Sequence, residues 1–409
     1  MKWFRRGAWA LLALVLAVAA VLGLYAQRAL PQLRGELTLP GLAAPVRIER
    51  DAHGIPTVRA QSLTDAVYGL GVAHAQDRLW QMETHRRIGA GRLAEALGPA
   101  ALETDKFLRA LGVRRAAAAQ WAQLGDESRA LLQAYAAGVN AVIAQLKARP
   151  PEYLILGLQP EPWDPIDSLA WAIMMSWDLG GNWSTELLRL RLALQLDRAQ
   201  IDVLLPPYPG EAPLPAADYP ALYRSLGLGE GAQRRVSQAW HRLVEVAPAS
   251  GVEGVGSNNW VVAGSRTATG APLLANDPHL KLSTPALWYV ARLEVPGLSV
   301  AGATLPGLPL VVLGQNEHLA WGFTNTGPDV QDLYLEEVDP ADPTRYRTPG
   351  GWAAFETVAE VIRVKGRPDL DVTWRRTRHG PVISDAGTGA DVLGEVAAAR
   401  YVLAMRWTG

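Results

Sequence analysis

Ser257 is the residue whose neighbours best equip it for covalent chemistry. It follows Gly254-Val255-Gly256 and opens the run Asn258-Asn259-Trp260-Val261-Val262, so a flexible stretch meets a hydroxyl and an apolar, β-branched segment begins at once. One reading is a glycine-rich turn feeding a buried strand, with Ser257 as a turn residue. The other is a chain that cuts itself between Gly256 and Ser257, leaving Ser257 with a free α-amino group beside its hydroxyl. Such an amine has an ordinary pKa of about 7.7–8.0 and can take the hydroxyl proton directly or through water. A hydroxyl served by its own chain nitrogen is the N-terminal form of an activated nucleophile. Cleavage has to come first, because an amide nitrogen is not basic. Gly254 and Gly256 let the backbone bend until the hydroxyl reaches the preceding carbonyl.

Competing chemistries find little support. There is no G-x-S-x-G elbow, H-E-x-x-H pair, P-loop or dinucleotide fingerprint. The histidines at 53, 74, 85, 241, 279, 318 and 379 show no metal-ligand spacing. With no cysteine, thiolate nucleophiles, disulfides and zinc–thiolate sites are excluded. A net charge of −1 lacks the electrostatic footprint of a nucleic-acid binder.

Stepping outward from the serine, the chain of 409 residues, 49% hydrophobic and 19% charged, is globular and long enough for two or three domains. Lys2, Arg5 and Arg6 precede residues 7–26, which carry no charge, and Gln27 and Arg28 follow. This is an export signal, long enough to span a bilayer. Tyr25-Ala26-Gln27 is a poor cleavage site, so a removed signal peptide and a retained anchor both remain open. Either way the folded part belongs outside the cytoplasm, in the periplasm or an equivalent compartment.

Residues 45–51 and 57–60 alternate like short strands around His53-Gly54-Ile55-Pro56. Ser62 predicts a helix start, with Asp65 in the capping-box position, and apolar residues recur at helical spacing to about Leu97. Inside it, His74 and Asp77 lie among core residues, where buried polar groups usually serve structure. Further helices are expected over 127–147, 168–177 and 184–196, the last with Glu186 in its first turn, where a carboxylate suits the helix dipole. From about 206 to 255 the chain turns Pro-, Gly- and Ala-rich, with one short helix around 236–246. After Ser257 the texture becomes strands: 260–263, 273–275, 287–295, 300–304, 310–313 and 319–324. A helix-rich first half and a strand-rich second half predict an α+β fold.

Several ordered stretches resemble one family. They are Arg50-Asp51 with Gly54-Ile55-Pro56; the run from Ala73-His74-Ala75-Gln76-Asp77-Arg78 to Met82 with Arg86-Arg87; Gly91-Arg92-Leu93-Ala94-Glu95; and Gly256-Ser257-Asn258-Asn259-Trp260. They continue as Leu274-Ala275-Asn276-Asp277-Pro278-His279-Leu280, Trp321-Gly322-Phe323-Thr324-Asn325 and Arg378-His379-Gly380-Pro381. From about residue 45 onward the chain resembles the penicillin acylases and their cephalosporin-acylase and acyl-homoserine-lactone-acylase relatives, which are N-terminal-nucleophile hydrolases.

The resemblance implies a four-layer αββα sandwich and an amidohydrolase acting on a small N-acyl substrate, a β-lactam side chain or an acyl-homoserine lactone among them. It implies a signal or anchor over 1–30, a mostly helical α-subunit over 31–225, a spacer over 226–256 ending at the autocleavage site, and a β-subunit from 257 to 409. Ser257 matches the nucleophile. His279 matches a position beside it, and Asn325 matches the position whose backbone N–H helps form the oxyanion hole. One structural calcium per processed heterodimer is implied, held by Glu186, Asp329, the Gln331 carbonyl and Asp332. Family members run past Trp407-Thr408-Gly409 to a later asparagine that gives a second oxyanion donor, so the β-subunit is expected to be incomplete here. The rival is a non-catalytic, membrane-anchored scaffold of the same fold. Trp177, Leu179 and Trp183 could line an acyl pocket or equally a core.

Overall fold

Helices fill the first half and strands the second in the computed structural model, which describes residues 2–192, 196, 198–206, 244–247, 257–280, 282–325, 329–387 and 400–408. The helices are α1 (Lys2–Ala29), α2 (Leu63–Ala90), α3 (Ala94–Leu97), α4 (Leu102–Leu111), α5 (Val113–Gln123), α6 (Asp126–Ala144), α7 (Pro151–Leu156), α8 (Pro165–Gly180), α9 (Trp183–Leu192) and α10 (Arg198–Leu204). The strands are β1 (Arg47–Arg50), β2 (Pro56–Arg59), β3 (Ser257–Val262), β4 (Leu273–Pro278), β5 (Tyr289–Val295), β6 (Leu298–Thr304), β7 (Val311–Gln315) and β8 (Ala320–Trp321). They continue as β9 (Gln331–Glu337), β10 (Arg345–Thr348), β11 (Gly351–Ala354), β12 (Glu356–Ile362), β13 (Leu370–Thr377), β14 (Gly380–Pro381) and β15 (Tyr401–Trp407). The expected mixed α+β class is what the chain shows.

Two compact units emerge. The first takes residues 1–85, 123–168 and 283–321, and the second 86–122, 169–282 and 322–409. Each draws on chain from both sides of the Pro- and Gly-rich stretch. That stretch, the expected spacer and most of the short helix over 236–246 lie outside the described residues.

The first unit is built on a six-stranded sheet in the order β1-β2-β5-β6-β7-β8, antiparallel throughout except where β2 runs parallel to β5. The β1–β2 turn is fixed by Asp51, whose carboxylate accepts the N–H groups of His53 (2.8 Å) and Ile55 (2.9 Å). Helices α2 and α6 cross at two glycines. A Cβ on Gly71 would lie 2.4 Å from the Tyr135 carbonyl oxygen, and one on Gly138 2.1 Å from that of Tyr68. The lost helix propensity, about 1 kcal/mol per glycine, is the condition of that close approach. Val58, Leu70, Met82, Val139 and Leu293 fill the core beneath.

The start of α2 is as expected at one end of its cap only. Ser62 Oγ accepts the Asp65 N–H at 3.1 Å, while the Asp65 carboxylate accepts from the Ala43 N–H at 3.0 Å instead of closing the capping box. The helix is also shorter than its apolar spacing suggests. It ends at Ala90 because Gly91 turns left-handed (φ 60°). Within it Arg78 leaves helical geometry (φ −140°, ψ 20°), and its guanidinium donates to the Ala286 carbonyl at 2.7 Å.

In the second unit, β3 and β4 form an antiparallel pair that sets Ser257 opposite Pro278. Strand β9 pairs with β15, β10 with β11, and β12 with β13, which also carries β14. The strand expected over 319–324 is only Ala320–Trp321. Residues beyond it are claimed by side-chain bonds described below.

Candidate active site

Ser257 is the first residue of β3, and its hydroxyl is positioned by backbone from the partner strand. Oγ accepts the His279 N–H at 3.1 Å. This follows from the register: Ser257 faces Pro278, a residue with no N–H to give, so the next amide reaches the side chain. On the other side, the Thr324 hydroxyl donates to the Ser257 carbonyl at 2.9 Å. Gly256 lies outside the described residues, and with it the geometry of the expected scissile bond.

His279 is thus brought to Ser257 through its main chain. Its imidazole turns elsewhere, with Nε2 2.7 Å from Asp277 Oδ2, and both side chains are well exposed. Asn325 is held to the same region by its neighbour Thr324, while its side-chain amide donates to the Leu179 carbonyl. A side chain turned away does not bear on a role that needs only the backbone donor.

Asn276 is the organising residue that motif reasoning left without a role. Its amide donates to the Asn258 carbonyl (3.1 Å) and the Phe323 carbonyl (2.9 Å), and its Oδ1 accepts the Phe323 N–H at 3.0 Å. One side chain therefore clamps the strand carrying Ser257 to the segment carrying Thr324 and Asn325. It also supplies the bonds that a longer β8 would have made. Gly322 is part of the clamp, since a Cβ there would lie 2.6 Å from Asn276 Oδ1. The only sequence signal was an asparagine between two strand-like runs, able to donate and accept at once.

The expected calcium ligands are gathered but not arranged as a shell. Burial is the main force raising the Glu186 pKa above the ordinary carboxylate range; Arg189 opposes it, and Asp329 and Asp332 add to it. The carboxylates therefore sense one another. Glu186 pairs with Arg189 at 3.4 Å. Asn182, just before α9, donates its amide to Asp329 Oδ1 and to the Gln331 carbonyl (2.9 Å), while its Oδ1 accepts the N–H groups of Val330 and Gln331. An amide thus stands between two of the oxygens that the resemblance gives to the cation. Among the described residues no three acidic or histidine side chains converge as metal ligands. The donor chemistry suits a hard cation; the geometry would need Asn182 to withdraw.

Trp177 and Trp183 are core residues in this arrangement. They pack with Phe107 at ring separations of 5.6 Å each, and Trp177 meets Trp407 at 5.5 Å. Both are nearly fully buried. His74 and Asp77, in the first unit, are likewise structural. Asp77 pairs with Arg50 (3.1 Å) and accepts from the Tyr289 hydroxyl (2.6 Å).

Comparison with known proteins adds an independent line. The sequence model of the family described as penicillin amidase matches residues 45–409. Penicillin acylase 2 proenzyme of Pseudomonas sp. (strain SE83) is 39% identical over 88% of this chain and 46% of its own length. Acyl-homoserine lactone acylase QuiP of Pseudomonas aeruginosa is 35% identical over 87% of this chain and 42% of its own. Penicillin G acylase of Escherichia coli is 29% identical over 85% and 47%. The chain spans about half the length of these relatives. A solved thermostable penicillin G acylase from Alcaligenes faecalis, in tetragonal form, is 31% identical, covering 42% of this chain and 98% of that one, with a TM-score of 0.36.

Proposed function

The chain belongs to the penicillin amidase family, and on that premise we propose that it is an amidohydrolase acting through Ser257. The observation that carries the reading is the seating of Ser257: its Oγ is bonded to the His279 N–H, and its carbonyl is bonded to the segment that bears Asn325.

In the proposed reaction, autoproteolysis between Gly256 and Ser257 frees the serine α-amine. That amine takes the hydroxyl proton as Oγ attacks the acyl carbonyl, and the Asn325 N–H stabilises the oxyanion. The proton passes to the leaving amine as the C–N bond breaks. Water then hydrolyses the acyl-enzyme ester and returns the hydroxyl. His279 holds Oγ through its backbone. Processing would divide the chain into an α-subunit (31–225), a spacer (226–256) and a β-subunit (from 257), with αββα layers at the core.

Calcium is proposed to bind where Glu186, Asp329, Asp332 and the Gln331 carbonyl gather, displacing the Asn182 amide and favouring the ionised form of Glu186 that burial, and then Asp329 and Asp332, oppose. Residues 7–26 direct export, and they remain as an inner-membrane anchor. The names of the relatives make penicillin side chains and acyl-homoserine lactones the substrate classes to try first.

N-terminal sequencing of protein expressed from its full reading frame tests the mechanism. A fragment beginning at Ser257, lost in Ser257→Ala, is expected. An unprocessed yet active chain would refute it, and an unprocessed, inactive one would favour the anchored scaffold. Amide release over an acyl-length series, on lactone and β-lactam amines, then assigns the substrate.

A further inference from the structure

We propose that the first unit rests on the membrane through α7, with Leu154 and Ile155 set among the lipid headgroups beside the point where α1 leaves the bilayer. This rests on the reading that α1 is retained. The apolar stretch Trp9–Ala29 is unburied along its most apolar part and long enough to cross a membrane; at about 1.5 Å per residue it spans about 31 Å.

Depth along that helix fixes the depth of whatever is bonded to it. Tyr25 lies four residues before Ala29, hence about 6 Å inside the span, at the level where tyrosines collect at membrane interfaces. Its hydroxyl donates to the Arg149 carbonyl at 2.8 Å. Side chains on a helix lean toward its N-terminus, so the bond does not carry Arg149 away from the bilayer. Ala29 and Pro31 line one cavity of about 190 Å³ together with Pro150 and Glu152. The α6–α7 connection and the first turn of α7 therefore sit at the level of the last turn of the span.

The chemistry of α7 suits that position. Tyr153 faces inward, 1% exposed, and its ring packs edge-on against Trp80. Leu154 (48% exposed) and Ile155 (80% exposed) face out from the same short helix. Leu30 and Leu33, just after α1, are also exposed, and so are Arg28, Arg34 and Lys147. Exposed apolar side chains on α7, with the exposed cations Arg28, Arg34 and Lys147 outnumbering the acids Glu36 and Glu152 in the same segments, fit the boundary between acyl chains and anionic headgroups.

The absence of cysteine makes the test direct. Full-length Ile155→Cys, labelled with an environment-sensitive dye, is reconstituted into phosphatidylethanolamine–phosphatidylglycerol vesicles. The same is done with Glu127→Cys, near the far end of α6. Nitroxide-bearing lipid is expected to quench the label at 155 several-fold more than at 127, and aqueous iodide is expected to quench it less. Equal lipid quenching at both positions, or iodide quenching at 155, in a protein whose intact mass still begins at Met1 would overturn the docking while leaving the anchor. A mature mass lacking residues 1–25 would overturn the anchor itself, and the docking with it.

Discussion

The histidine at the centre of the first unit and the histidine beside Ser257 have opposite surroundings. His74 is wholly buried and bonded at both ring nitrogens: Nδ1 lies 2.8 Å from the Tyr135 hydroxyl and Nε2 2.9 Å from Thr304 Oγ1. The roles follow from the neighbours. Thr304 donates its hydroxyl to the Tyr289 carbonyl (2.6 Å), so it must accept from Nε2–H. With the proton on Nε2, Nδ1 of the neutral ring is an acceptor, so the Tyr135 hydroxyl, which also accepts the Gly307 N–H (2.8 Å), donates to it. Every group is satisfied by a neutral ring, and burial, helped by nearby Arg78, pushes its pKa down to about 3. His279 instead has a side chain 46% exposed whose ring meets one aspartate, itself exposed. A ring closed in on every side holds a fold together. His279 meets Ser257 with its backbone and leaves its ring to Asp277 and solvent.

The largest effect that would break this contrast is at Ser257, the proposed nucleophile. Ser257→Ala should abolish processing and lower amide hydrolysis by about 10³-fold or more with no loss of folded protein, measured by mass spectrometry and steady-state kinetics. Substituting the two histidines should separate stability from activity. His74→Ala should cost about 3–5 kcal/mol in denaturant unfolding, since it opens a cavity and strands two buried hydroxyls. His279→Ala keeps the backbone N–H that meets Ser257 Oγ and should stay within about 0.5 kcal/mol of the parent with kcat little changed, whereas His279→Pro, which removes that N–H, should lower kcat. Equal destabilisation by the two would erase the distinction.

Acid should reveal the same difference. His85 is also buried, beside the Pro306 carbonyl, and its pKa is lowered to about 4. In the unfolded chain both histidines titrate near ~6.5. The unfolded state therefore takes up protons first as pH falls. Their contribution is whole above about pH 6.5 and declines by about 1.4 kcal/mol per pH unit per histidine. The decline ends as pH passes the folded values, about 4 for His85 and about 3 for His74. Urea midpoints across pH 7 to 4 check this, and His74→Gln should flatten the slope by about half. A smaller effect is expected from Asn276→Ala, about 1–2 kcal/mol in stability with a larger fall in kcat, because it frees the 321–325 segment from β3. The smallest is expected from a calcium chelator, which should lower Tm by a few degrees; no shift would remove the cation from the proposal.

Much of this was legible in order along the chain. Ser62 announced the start of α2, and a strand does follow the glycine run, though β3 begins at Ser257, three residues before the expected Trp260, and is mostly exposed rather than buried. The length of α2 and of β8 was not legible. Apolar spacing continues past Gly91, and Phe323 looks like strand until Asn276 takes its N–H and carbonyl. The division into units was hidden for a related reason: sequence texture changes at the Pro- and Gly-rich stretch, whereas packing joins segments from both sides of it.

What the sequence determined by itself is local: which hydroxyl follows a glycine run, which segments are helix or strand, which end is apolar enough for a membrane. Residue type and local spacing carry those, because they depend on groups a few bonds apart. The tertiary structure decided which polar groups are finished and which remain available. His74 and His279 both sit in family-like motifs. Only the packing of Tyr135, Thr304 and Tyr289 around one, and the register of β3 against β4 beside the other, make the first a buried strut and place the second at Ser257. Those partners lie far apart in the chain, and the energy of a buried polar group depends on neighbours that only the fold supplies.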